Sequence, residues 1–152
     1  SSLDAYPIEF LNMQINCELI YGENVLAPLV FRSDDLRVQI ERELKGKILW
    51  LREGFVESEG APRRLRDLIA RALTSLVSIF NAMIYLKTGQ APRSKPETLA
   101  QAGSVFGLDA NIFNLCLLIK EKKDKLSRDE SARTFVSYVR EAQRACAIVE
   151  NL

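Results

Sequence analysis

Glu9 is the first side chain in this sequence that could do chemistry. It stands between Ile8 and Phe10 in a stretch that we interpret as a strand, so its large neighbours would point to the opposite sheet face. A carboxylate in that position can ligate a metal or act as a base beside other acids. A single acid on a strand is more often a solvated residue, so both interpretations stay open.

A cluster of arginines is the second candidate, because Arg63, Arg64 and Arg66 open a predicted helix. Positive charge at a helix N-terminus opposes the helix dipole, which implies a compensating partner. That partner would be Glu57 and Glu59 just upstream, or a bound anion. We therefore predict a substrate- or anion-binding site at these three arginines. The lysines between positions 120 and 125 alternate with acids near a helix C-terminus and are interpreted as solvated surface.

The chain has no histidine, which removes Ser-His-Asp and Cys-His catalysis and histidine zinc sites. Cys17, Cys116 and Cys146 are widely spaced among apolar neighbours and are interpreted as reduced core thiols. With 21 basic and 20 acidic residues, the net charge of +1 gives no general attraction to nucleic acid. We expect neither a nucleic-acid partner nor a membrane segment, and we expect a cytoplasmic location.

The predicted secondary structure that would position these residues changes from strand to helix near residue 32. Residues 6–11 and 17–21 are rich in aromatic and β-branched side chains and predict two short strands. Residues 25–31 contain Pro28 and fit either an edge strand or an extended linker. We therefore divide the chain into a short β segment over residues 1–31 and a helical bundle over residues 32–152.

Helical periodicity governs the bundle. The first helix follows Ser33 as N-cap and places an apolar stripe on one face: Leu36, Ile40, Leu44, Ile48, Leu51 and Phe55. Gly46 inside it suggests a close helix crossing. The second begins at Pro62 and ends at Gly89, and its wide apolar stripe predicts a central position. Capping residues Ser94, Asp109 and Ser127 start three more helices. The fold class is mainly α, an up-and-down bundle of four to five helices after the β segment.

The first fifty residues resemble bacterial and archaeal proteins in which a nucleotidyltransferase-like domain precedes a helical bundle. The resemblance is carried by Tyr6-Pro7-Ile8-Glu9-Phe10-Leu11, by Glu18-Leu19-Ile20-Tyr21-Gly22-Glu23-Asn24 and by the arginine-containing start of the first long helix. It implies that Glu9 matches the third carboxylate of the family's metal site. The family's Gly-Ser turn and Asp-x-Asp pair are missing from this chain, so it cannot assemble two-metal transfer alone.

The resemblance further implies that the helices form a substrate-binding bundle, similar to that of kanamycin nucleotidyltransferase or to HEPN domains. The chain would be a fragment of a longer protein, or a trimmed one, and would carry no cofactor itself. Mg²⁺ would act only in a joined catalytic domain. The leading function is a non-catalytic accessory domain that binds a partner, a nucleotide or another small substrate. The alternatives are a homodimerising interaction bundle, formed through the stripe of the second long helix, and magnesium-dependent transfer with Glu9 as one ligand.

Overall fold

The computed structural model describes residues 2–152, with side chains from Leu3 onward. Seven helices are found in this range: α1 Ser2–Ala5, α2 Pro7–Asn16, α3 Ser33–Ser58, α4 Pro62–Thr88, α5 Lys95–Phe106, α6 Ala110–Lys120 and α7 Arg128–Val149. The mainly α prediction is confirmed. The predicted β segment is wrong, since residues 2–152 contain no strand.

The first predicted strand is helix α2, and the position of its proline is compatible with a helix. Pro7 occupies the first turn of α2, where its missing N–H removes no hydrogen bond and its fixed φ suits a helix. Ile8 and Leu11 are buried three residues apart, on one helical face. A helix satisfies its own backbone, whereas two isolated short strands would lack a sheet to join. The second predicted strand, residues 17–21, is an exposed loop without a buried face.

Helices α3 to α7 follow the predicted boundaries closely, because their caps act as the sequence indicates. Asp109 accepts hydrogen bonds from the backbone N–H groups of Asn111 and Ile112, and Ser127 forms a complete capping box with Glu130. Gly89 ends α4 at a φ of 75°, in the left-handed region. The N-cap of α3 differs from the prediction by one residue: Arg32 is the N-cap, and Ser33 is the first helical residue.

Helix α4 is central, as its apolar stripe predicts. It packs against α2, α3, α5, α6 and α7, and residues such as Leu65, Ile69, Leu76 and Phe80 are fully buried. The stripe considered for homodimerisation is therefore covered within the chain. Although α4 is long and apolar enough to cross a membrane, 61% of its most apolar window is buried by other helices, as in a core helix.

Glycines mark where α3 meets α4, although not at the expected position. Nothing lies within 4 Å of a Cβ built on Gly46, so the predicted close crossing there is wrong. The close approach is at Gly54, where a Cβ would lie 2.5 Å from Leu68 Cδ2 of α4. The difference arises because Gly46 is exposed while Gly54 faces the neighbouring helix.

We expect the two glycines to respond differently to alanine. Gly46→Ala should raise the free energy of unfolding by about 0.5–1 kcal/mol, because an exposed helical glycine carries only an entropic cost. Gly54→Ala gains the same helix propensity, but its Cβ forces the end of the half-buried Leu68 side chain to move, so its net gain should be smaller than that at Gly46 by about 0.5 kcal/mol or more. Urea unfolding of the two variants measures this, and equal effects at both sites would contradict the crossing at Gly54.

Candidate functional site

Glu9 lies on helix α2 and is tied to α3 by a buried amide. Gln39 Nε2 donates to Glu9 Oε2 at 2.8 Å, and Gln39 Oε1 accepts from the backbone N–H of Ile8 at 2.7 Å. Gln39 thus satisfies one of the free N–H groups at the start of α2 and orients the neighbouring carboxylate. In the part of the chain that is described, no group of three His, Cys, Asp or Glu side chains is placed to hold a metal.

The three predicted arginines do not converge on one site. Arg66 reaches across to the loop after α6, where Nη2 lies 2.8 Å from Asp124 Oδ2 and donates to the carbonyl oxygen of Leu126 at 2.7 Å. Arg64 Nη1 donates to the carbonyl oxygen of Glu57 at 3.0 Å, and Arg63 is exposed. The expected compensation of helix-terminal charge is present at Arg66, but its partner is Asp124 and not Glu57 or Glu59.

A shallow cleft of about 260 Å³ adjoins Arg64 between the end of α3 and the start of α4. Arg64 and Arg71 line it together with Glu57 and Asp67. Two carboxylates beside two guanidinium groups leave little net positive potential, so the cleft attracts an anion only weakly.

The buried cysteines and tyrosine are core groups. Burial raises the pKa of the Cys116 thiol far above its usual range, which keeps it protonated and unreactive. Burial likewise raises the pKa of Tyr138, whose buried hydroxyl has no hydrogen-bond partner among the described residues. Cys146 is also buried, whereas Cys17 is exposed, so the core interpretation is wrong for Cys17.

An apolar groove of about 440 Å³ lies between the C-terminal part of α3 and the middle of α7. Its floor is a stacked pair of rings, Phe55 and Phe135, with centroids 5.3 Å apart. Its walls include Val56, which is 75% exposed, and Val136, which is 48% exposed. Apolar side chains that line a concave, open surface are typical of a binding site for another apolar group.

Positive charge borders this groove. Arg52 of α3 and Arg140 of α7 line it, both are exposed, and neither makes a salt bridge within residues 2–152. Further along the outer face of α3, Lys45 is hydrogen-bonded to Glu41, which lowers the pKa of Glu41 and raises that of Lys45. The two groove arginines are therefore available to an acidic ligand, in contrast to Lys45.

No known protein family, curated protein or solved structure matches this chain. The groove therefore has to be interpreted from its own residues. The groove is not predicted from the sequence, because the spacing of Phe55 puts it on the same face of α3 as the buried apolar residues. The available signal was that Val136 and Arg140 lie one turn apart on α7, outside the stripe that holds Phe135 and Tyr138.

Proposed function

We propose that this chain is a non-catalytic, partner-binding helical domain whose binding site is the groove between α3 and α7. The observation that carries the proposal is an apolar groove with exposed side chains, namely Phe55, Val56 and Val136, bordered by two arginines that make no salt bridge within residues 2–152. The preferred ligand is a protein segment with one or two large apolar side chains flanked by carboxylates. Apolar burial would supply affinity, while the arginines would set orientation and selectivity.

The accessory relationship to a nucleotidyltransferase domain is part of the same proposal. Its support is the sequence resemblance of the first fifty residues alone, because Glu9 lies on helix α2 and not on the strand that the sequence predicts. Its test is the coding sequence ahead of Ser1, in which we expect a Gly-Ser turn followed by an Asp-x-Asp strand. A reading frame that lacks both elements would contradict the accessory relationship while leaving the groove proposal standing.

Groove binding can be measured with 1-anilinonaphthalene-8-sulfonate, a dye that combines aromatic rings with a negative charge. We expect saturable fluorescence enhancement with the parent chain at low protein concentration. Val136→Glu should weaken dye binding by about tenfold, because it puts a carboxylate in the apolar wall and repels the sulfonate; a tenfold loss corresponds to about 1.4 kcal/mol.

Leu118→Glu is the matched control. Leu118 lies on α6, is 42% exposed and does not line the groove. Its substitution removes a similar apolar surface and adds the same charge, so dye binding should stay within twofold of the parent. Equal losses in both variants, or no saturable binding by the parent, would refute the groove as the binding site.

A further inference from the structure

The loop between α2 and α3 exposes an unusual apolar tip. Ile20 is 95% exposed and Tyr21 is 96% exposed, beside a half-exposed Leu19. These side chains contribute nothing to the core of the chain that carries them. Large apolar groups held almost wholly in water at one place are typical of an interaction surface.

The stem of this loop, residues 24–29, is hydrogen-bonded to α2, whereas the tip, residues 19–21, is exposed. Gln14 Nε2 of α2 donates to the carbonyl oxygens of Leu26 at 2.7 Å and Leu29 at 3.2 Å. Asn24 Oδ1 accepts from the backbone N–H groups of Leu26 and Ala27, both at 3.1 Å. A tip presented on a braced stem loses less conformational entropy on binding than a free tail would.

The charge of the tip is opposite to that of the groove. Glu18 and Glu23 flank the apolar tip, and residues 1–31 contain no lysine or arginine. The groove is bordered by Arg52 and Arg140, without a carboxylate among its lining residues. An apolar segment with two carboxylates is the kind of ligand that the proposed function assigns to the groove.

The loop and the groove of one chain lie on different sides of α3. The stem of the loop is bonded to α2, which contacts α3 at Gln39 and shares a surface depression with Glu43. From Gln39 to Arg52, α3 advances by about 20 Å and turns so that the two residues point about 140° apart. A tip that projects from the α2 side therefore meets the groove of another molecule more readily than its own.

We propose that the loop tip around Tyr21 of one copy occupies the α3–α7 groove of a second copy. This inference rests on the proposed function and names the groove's occupant. The tip inserts Ile20 and Tyr21 against Phe55 and Val136, and the flanking glutamates pair with the groove arginines. The two contacting surfaces differ, so the contact is heterologous, and an assembly of copies keeps a free groove at one end and a free loop at the other, where further copies can add.

Analytical ultracentrifugation of the full chain from micromolar to millimolar concentration is the first measurement. We expect the average mass to rise beyond that of a dimer as the concentration increases. Tyr21→Asp disables the tip, and Val136→Glu disables the groove. Each variant alone should remain a monomer, and circular dichroism should show an unchanged fold, because both sites are exposed.

Mixing the two variants in equal amounts distinguishes this contact from other modes of self-association. The Val136→Glu copy retains its tip and the Tyr21→Asp copy retains its groove, so one functional contact forms and the assembly stops at a heterodimer. A symmetrical contact would not be restored by mixing. Parent chains that remain monomeric, or a mixture no heavier than its components, would overturn the inference. If the dye still binds the parent groove in that case, the proposed function stands and only its occupant is wrong.

Discussion

Arg66→Leu is expected to lower the free energy of unfolding by about 3 kcal/mol, because it leaves the Asp124 carboxylate buried without its cation. The Asp124 side chain is 5% exposed and lies 2.8 Å from Arg66 Nη2. The same guanidinium also donates to the carbonyl oxygen of Leu126, so the loop joining α6 to α7 loses two attachments to α4. Thermal unfolding should shift downward by about 10 °C for a chain of this size.

A second substitution tests whether the stranded charge is the cause. In the Arg66→Leu background, Asp124→Asn removes the charge but keeps an oxygen that can accept from the backbone N–H of Leu126, as Asp124 Oδ2 does at 3.3 Å. The double variant should recover at least about half of the lost stability. Arg63→Leu is the matched control on the same helical turn, and its effect should stay within about 0.5 kcal/mol, since Arg63 is exposed. Equal losses at Arg63 and Arg66 would refute the structural role of the Arg66 pair.

Gln39→Leu is expected to cost about 2 kcal/mol, because it leaves the backbone N–H of Ile8 buried and without an acceptor. Gln39 is itself buried and is the side chain that joins α2 to α3 at this point. Hydrogen exchange should therefore report faster opening of α2 than of α4, with the rest of the bundle protected.

Glu9 provides the comparison for Gln39. Glu9→Ala removes only the partner of Gln39 Nε2 at an exposed position, so we expect a loss below about 0.5 kcal/mol. A loss at Glu9 as large as that at Gln39 would show that the carboxylate, and not the amide, fastens α2. Urea unfolding of the two variants under identical conditions provides the measurement.

Only part of the candidate site could be predicted from the sequence. Of the three arginines at the start of α4, only Arg66 has a carboxylate partner, and that partner, Asp124, lies 58 positions away and is recognisable only in three dimensions. The groove was invisible for a related reason. Phe55 and Phe135 both follow buried stripes by spacing, but only Phe135 is buried, and the packing of α3 against α7 leaves Phe55 39% exposed in the groove.

The amino-acid sequence by itself determined the five helices from α3 to α7, since capping residues, prolines and a 3.6-residue apolar period act within one turn of the chain. Tertiary structure decided the rest. Residues 7–16 became a helix because α3 and α4 offered a surface for Ile8 and Leu11 and Gln39 supplied an acceptor, while residues 17–21 had no such surface and stayed exposed. Local signals specify an element when its hydrogen bonds are local. The groove, the buried ion pair and the exposed loop tip depend on which surfaces, distant along the chain, pack together. The periodicity of apolar residues does not show which surfaces these are.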